Sequence, residues 1–342
     1  MSRRTPQGER GMKTDLLAAR DARAEAIHVA GREWQARVLE PSPPSNHDAG
    51  WFADDPVATP PNSSSSAPLL PTGLAAQGTH DWSEWVVTKP ERVAWVTARW
   101  LGGDRSLPPT PPDLASTRIA LHRLAAYVVA PVRNEANGKF GLRWTLGGFG
   151  TPFFADDRQI RVVGDHLVDQ EGTSVRTSPI TTLRAAADFL DSKISEDAGA
   201  EADSPPLGDI DEPLGIDVDA SKFLGEWFGM AFAALESVRA DTATVRPSRP
   251  QLWPGHFDPA IEAGDEDYRA SYGASPGDQG IDEPYLYVNV WWPDRAGIDT
   301  SVDMWNSPSF TGAVLKLSDF GRGDPATEAT KFFMAVRDQL DT

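Results

Sequence analysis

"EPYLYVNVWWP", Glu283 to Pro293, decides the fold through its alternation. Read with a period of two, Tyr285, Tyr287, Asn289 and Trp291 fall on one face, and Leu286, Val288, Val290 and Trp292 on the other. The second set is an apolar core face. The first is amphipathic, with flat rings that carry hydroxyl, amide and indole groups and suit a cleft that stacks against and hydrogen-bonds a polar ligand. A strand held between two layers would carry the same rings as a second buried face, covered by the helix of residues 219–239. Both readings stay open at this point.

Outward from this strand the same period recurs. "QLWPGHFDPAI", "YRASYG" and "TGAVLKL" read as its neighbours in the C-terminal half. "KFGLRWTL", "QIRVV", "HLVDQ" and "TSVRTSPI" form a second group, with Gly164-Asp165 as a tight hairpin turn between the middle two. Helical spacing appears over Pro112–Tyr127, with Leu114, Ile119, Leu121, Leu124 and Ala125 as the apolar set, and over "LRAAADFLDSKI", capped by Thr181 or Thr182. A longer helix capped by Asp217 or Asp219 runs to Arg239. Phe223, Trp227, Met230, Ala234 and Val238 line one face of it, and Leu224, Phe228 and Leu235 widen that face, so it is buried on more than one side. Asp324-Pro325 opens a last helix. Each half is strands followed by a helix. The prediction is an α+β fold, with mixed or antiparallel β-sheet and packed helices in each half.

Four segments follow from composition. Residues 1–80 hold one possible helix and the tract "PSPPSNHDAGWFADDPVATPPNSSSSAPLLPTG", which has too little apolar surface to order itself, so a disordered N-terminal extension is expected. Residues 81–195 form the first α+β half, beginning at Trp82, Trp85, Trp95 and Trp100; residues 196–213 form an acidic linker; residues 214–342 form the second half, with the candidate site. A formal charge of -18 and the lack of any basic stripe exclude nucleic acid and an anionic membrane surface as partners. The chain has no cysteine, which removes disulfides and thiolate chemistry and suits the cytoplasm, and no signal-peptide or membrane-length apolar run is present.

Two motifs carry possible chemistry. Gly273-x-Ser275-x-Gly277 spells a serine-hydrolase elbow, but that elbow needs a helix after the serine and the N–H of the next residue as an oxyanion donor. Here the next residue is Pro276, which has no N–H, and "DQGIDEP" reads as loop, so a Gly/Pro turn is the better reading. In "LWPGHFD", an extended backbone would put His256 and Asp258 on one face, with Trp253 and Phe257 on the other. A histidine beside a carboxylate can act as an acid–base pair or a metal ligand. His256 is the one histidine of the C-terminal half, so no metal is assigned, and the plainer alternative is a histidine that completes a turn. Gly147, Gly148 and Gly150 in "TLGGFGTPFF" read as a turn without nucleotide-binding spacing, and no cofactor is assigned.

Trp253, Pro254, His256, Phe257 and Asp258, then Gly273, Ser275, Pro276, Gly277 and Asp278, then Glu283, Pro284, Tyr285 and Tyr287 resemble the motif string of an uncharacterised bacterial family common in actinobacteria. "GGFGTPFF", "QIRVVGDHLV" and "PITTLRAAADFL" look like its N-terminal half. The resemblance implies membership and no activity.

Three function classes remain. The first is a protein binding a small polar ligand through Trp253, His256, Asp258, Ser275, Asp278, Tyr285, Tyr287 and Trp291. The second is a hydrolase using His256 with Asp258 or Asp278. The third is an interaction module docking through its N-terminal helix.

Overall fold

The computed structural model describes residues 107–340, apart from 146–147, 153, 156–157, 172–173, 198–203, 249 and 300. The expected N-terminal extension, its helix and the tryptophans from Trp82 to Trp100 lie outside the described residues.

The first half opens with α1 (Leu114–Leu124), which continues through a wider π turn (Ala125–Val129) into α2 (Ala130–Asn137). Pro131 has no N–H to offer the carbonyl four residues before it, and that Tyr127 oxygen instead accepts from Ser195 N at 3.0 Å. Five strands follow as a meander: β1 (Arg143–Thr145), β2 (Gly148–Gly150), β3 (Arg158–Val163), β4 (His166–Glu171) and β5 (Ser174–Pro179), every neighbouring pair antiparallel. Gly164, at φ 59, makes the tight turn between β3 and β4. Gly148–Gly150 of the stretch expected as a turn form strand β2; glycine is poor strand material in isolation, yet both flanks of this segment are paired. α3 (Leu183–Phe189) closes the half, with Ala185 N bonded to the Thr182 hydroxyl.

The second half repeats this order. α4 (Val218–Ala240) is capped by Asp217, whose carboxylate accepts from Ala220 N at 2.8 Å. A second antiparallel meander follows: β6 (Gln251–Trp253), β7 (Asp258–Ala263), β8 (Ala270–Ser275), β9 (Tyr285–Val290) and β10 (Gly312–Lys316). α5 (Pro325–Leu340) ends it. The sheets meet at their first strands, where Leu142 and Leu252 exchange both backbone hydrogen bonds, at 2.8 and 2.9 Å. Antiparallel pairing of equivalent strands is what a two-fold relation between the halves produces.

α4 spans that junction and packs on β1 and β2 of one sheet and on β7 and β8 of the other. Its arc of Phe223, Leu224, Trp227, Phe228, Met230, Ala234, Leu235 and Val238 is fully buried, as expected of a helix apolar over so wide an angle. Each large side chain taken from water contributes about 1.5–3 kcal/mol, so this helix ties the halves together. Between residues 205 and 214 the chain is pinned to the first half. Arg123 donates to the Leu207 and Asp209 carbonyls, the Tyr127 hydroxyl to Pro205 O, Arg184 pairs with Asp211, and Leu214 N reaches Thr181 O.

Candidate functional site

Alternation in β9 falls as its sequence dictates. Leu286, Val288 and Val290 share one buried cluster with α4 and α5, which settles which face the helices cover. Tyr285, Tyr287 and Asn289 lie on the opposite face. There Ser275 is opposite Tyr285, Gly273 opposite Tyr287 and Ser271 opposite Asn289. Trp253 and Asp258 are register partners one strand further on. Trp291 follows β9 and donates its indole N–H to Ser271 Oγ at 2.8 Å. Trp292, expected in the core, is half-buried, with Arg295 over its ring.

"WPGHFD" is not extended. Residues 254–257 form the hairpin turn between β6 and β7, with Phe257 N bonded to Trp253 O at 2.7 Å. Trp253 and Asp258 therefore share a face, and His256 is exposed in the turn, two residues before Asp258 and not alternating with it on a strand. Phe257 takes φ 56, a left-handed conformation costly for an aromatic residue. Its ring offsets the strain. It is buried edge-on to Phe149 and Phe228 and lies flat on His122, with centroids 5.2 Å apart and planes 11° from parallel.

The glycines of "GASPG" have mechanical roles. A side chain at Gly273 would meet the Tyr287 ring, and one at Gly277, which sits at φ 101, would meet the Arg118 guanidinium. Ser275 Oγ accepts from Gly277 N at 3.2 Å, which makes the serine part of its own turn. Asp278 closes the next turn, one carboxylate oxygen accepting from Gly280 N at 2.6 Å and Ile281 N at 2.8 Å.

Both phenols donate hydrogen bonds to carboxylates, Tyr285 to Asp278 and Tyr287 to Asp258, and the two rings stand 6.2 Å apart. Burial first, and the adjoining carboxylate second, push both phenols above the ordinary tyrosine value. They are donors at physiological pH, neither bases nor nucleophiles.

Two residues absent from the sequence-based site hold the loops beside it. Arg118 and His122, one turn apart on α1, face the two loops that bracket the tyrosines. Arg118 reaches the Pro276 and Asp282 carbonyls, each at 3.4 Å, and the Asp282 carboxylate at 3.7 Å. His122 is 7% exposed, lies beside the Pro254 and Gly255 carbonyls, and has a buried Nε2 without a hydrogen-bond partner. Burial pushes its pKa down to about 4; the neighbouring His256 and Arg118 add to the lowering, and the two carbonyls oppose it. A signal existed. Leu114, Arg118, Leu121, His122 and Ala125 follow the i, i+4, i+7, i+8 template, whereas Ile119, assigned to the apolar set, is 45% exposed.

Among the described residues no three His, Asp or Glu side chains gather where a metal ion would sit, and no helix is long and apolar enough to cross a membrane. No protein-family model, no curated protein and no solved structure matches this chain.

Proposed function

We propose that the protein binds a small polar ligand on the tyrosine-bearing face of its second sheet. The observation that carries this reading is the pair of phenol–carboxylate contacts on the face opposite the helices, Tyr285 with Asp278 and Tyr287 with Asp258, where Tyr285, Asp258 and Ser275 are buried and Phe310 lies edge-on to Tyr287. Around them Trp253, Tyr287, Asn289 and Trp291 are half-buried, each keeping part of its surface to offer. Each phenol commits its O–H to its carboxylate, and with Tyr285 and Asp258 buried it is the exposed Asp278 that offers oxygen lone pairs at the edge of this face. The complementary ligand brings hydrogen-bond donors and a stackable body, as a sugar, a polyol or a small amine does.

The hydrolase alternative has less to draw on, because Asp258 and Asp278 are both engaged by phenols and His256 lies in a turn. The lack of cysteine supports a cytoplasmic setting for a soluble protein. The run of motif residues from Trp253 to Tyr287 supports membership of the uncharacterised bacterial family it resembles.

A thermal-shift panel of glucose, sorbitol, ethanolamine and spermidine tests the reading, with the wild-type chain beside Tyr287→Phe. A saturable rise in Tm with one compound, lost or weakened in the variant, supports it. A panel without response, or a response the variant keeps in full, counts against it.

A further inference from the structure

His122 joins the two halves of the molecule at the turn that sets the ligand face. Its ring rests on Phe257, whose left-handed backbone brings Trp253 and Asp258 into register on the tyrosine side of the sheet. The stack therefore stabilises a conformation that the turn would not choose for itself. On the same turn the Ser204 hydroxyl donates to Gly255 O at 3.1 Å, so the segment after α3 is tied to it as well.

The surroundings of the imidazole suit its neutral form. Two basic groups oppose a positive charge on it: Arg118, one turn earlier on α1, and His256, from the turn itself. From α4 the neighbour is Phe228, through its contact with Phe257. The nearby carboxylate of Asp258 is bonded to Tyr287 on the other side of the sheet. A proton on His122 would thus place a positive charge beside the basic groups of Arg118 and His256, in a site 7% exposed, with only the Pro254 and Gly255 carbonyls to receive it.

We propose that His122 is an acid-sensitive latch: neutral, it clamps the Trp253–Asp258 turn through Phe257, and protonated, it leaves its pocket and frees that turn while the rest of the fold stands. Coupling to ligand release rests on the proposed binding face; the latch itself does not.

The test is hydrogen exchange by mass spectrometry on the full chain, corrected for intrinsic rates, across pH 6.5 to about 4. Wild type should lose protection at the amides of residues 255–258, roughly tenfold for each pH unit once the ring begins to charge, while α4 stays protected. His122→Phe keeps a stacking ring and cannot titrate, so its turn should stay protected over the same range. His122→Gln, also unable to titrate, serves if the phenylalanine variant misfolds, and should show no acid-dependent step. His256→Gln should leave the step in place, since that residue only modulates it. A variant at position 122 that opens at the same pH as wild type, or a wild type whose turn and α4 open together, overturns the proposal. No ligand enters the readout, so a failed ligand screen and a failed latch are separate results.

Discussion

Gly273 and Tyr287 face each other across β8 and β9, and a methyl group on the glycine would lie 2.6 Å from Tyr287 Cε1. The glycine is there to seat the ring, and not to turn a nucleophile outward. Gly273→Ala should therefore cost about 1–3 kcal/mol, as overpacking does. Measured by urea unfolding, most of that loss should vanish against a Tyr287→Ala background, because the two positions share one space. Additive losses would show that the glycine serves another purpose.

Removing only the hydroxyl isolates the second contact. Tyr287→Phe keeps the ring but withdraws the donor to the buried Asp258, at an expected cost of about 1–3 kcal/mol near neutral pH. The alkaline side gives the sign. The folded phenol holds its proton more tightly than the unfolded one, so its contribution is complete below the unfolded value of 10.0 and declines as pH rises above it. The difference in stability between wild type and Tyr287→Phe should therefore shrink above pH 10; a constant gap would place the raised phenol elsewhere.

On the acid side, His122 acts in the opposite sense. Its folded pKa lies near 4 and its unfolded value at 6.5, so the unfolded chain binds a proton that the folded one refuses. Stability should fall as pH drops below 6.5 and level off near 4, for a total of about 3 kcal/mol. Equilibrium denaturation of wild type against His122→Phe isolates this slope; parallel curves would mean that the imidazole does not carry it.

Phe257 inverts a familiar ranking. Truncating its buried ring should cost about 3–5 kcal/mol. Glycine usually destabilises relative to alanine, but at φ 56 the backbone favours glycine, so Phe257→Gly should be more stable than Phe257→Ala by about 1 kcal/mol. The reverse order in thermal unfolding would show that the turn relaxes once the ring is gone.

The strongest local signals in the sequence carried most of the fold. Of the two candidates for each cap, Asp217 and Thr182 make it, Gly164-Asp165 turns the hairpin, and the alternation of β9 sorts its two faces. What escaped depended on contacts distant along the chain. Three glycines read as a turn because nothing local reveals that Gly148 and Gly150 pair on both sides. "WPGHFD" read as a strand because alternation does not announce a left-handed phenylalanine, whose ring is held by residues from α1, β2 and α4. Arg118 and His122 sit more than a hundred residues before the loops they hold, on a helix whose apolar stripe was drawn through Ile119 instead.

Ring resonances of selectively labelled tyrosine, followed by NMR as a ligand from the polyol and amine panel is titrated, report most directly on the binding face. Tyr285 and Tyr287 should shift together and saturate at one concentration, while Tyr272, packed against Phe333 on the helix side of the same sheet, stays in place. Shifts at Tyr272 with none at Tyr285 or Tyr287 would put the ligand on the wrong side of the sheet and contradict the binding face described above.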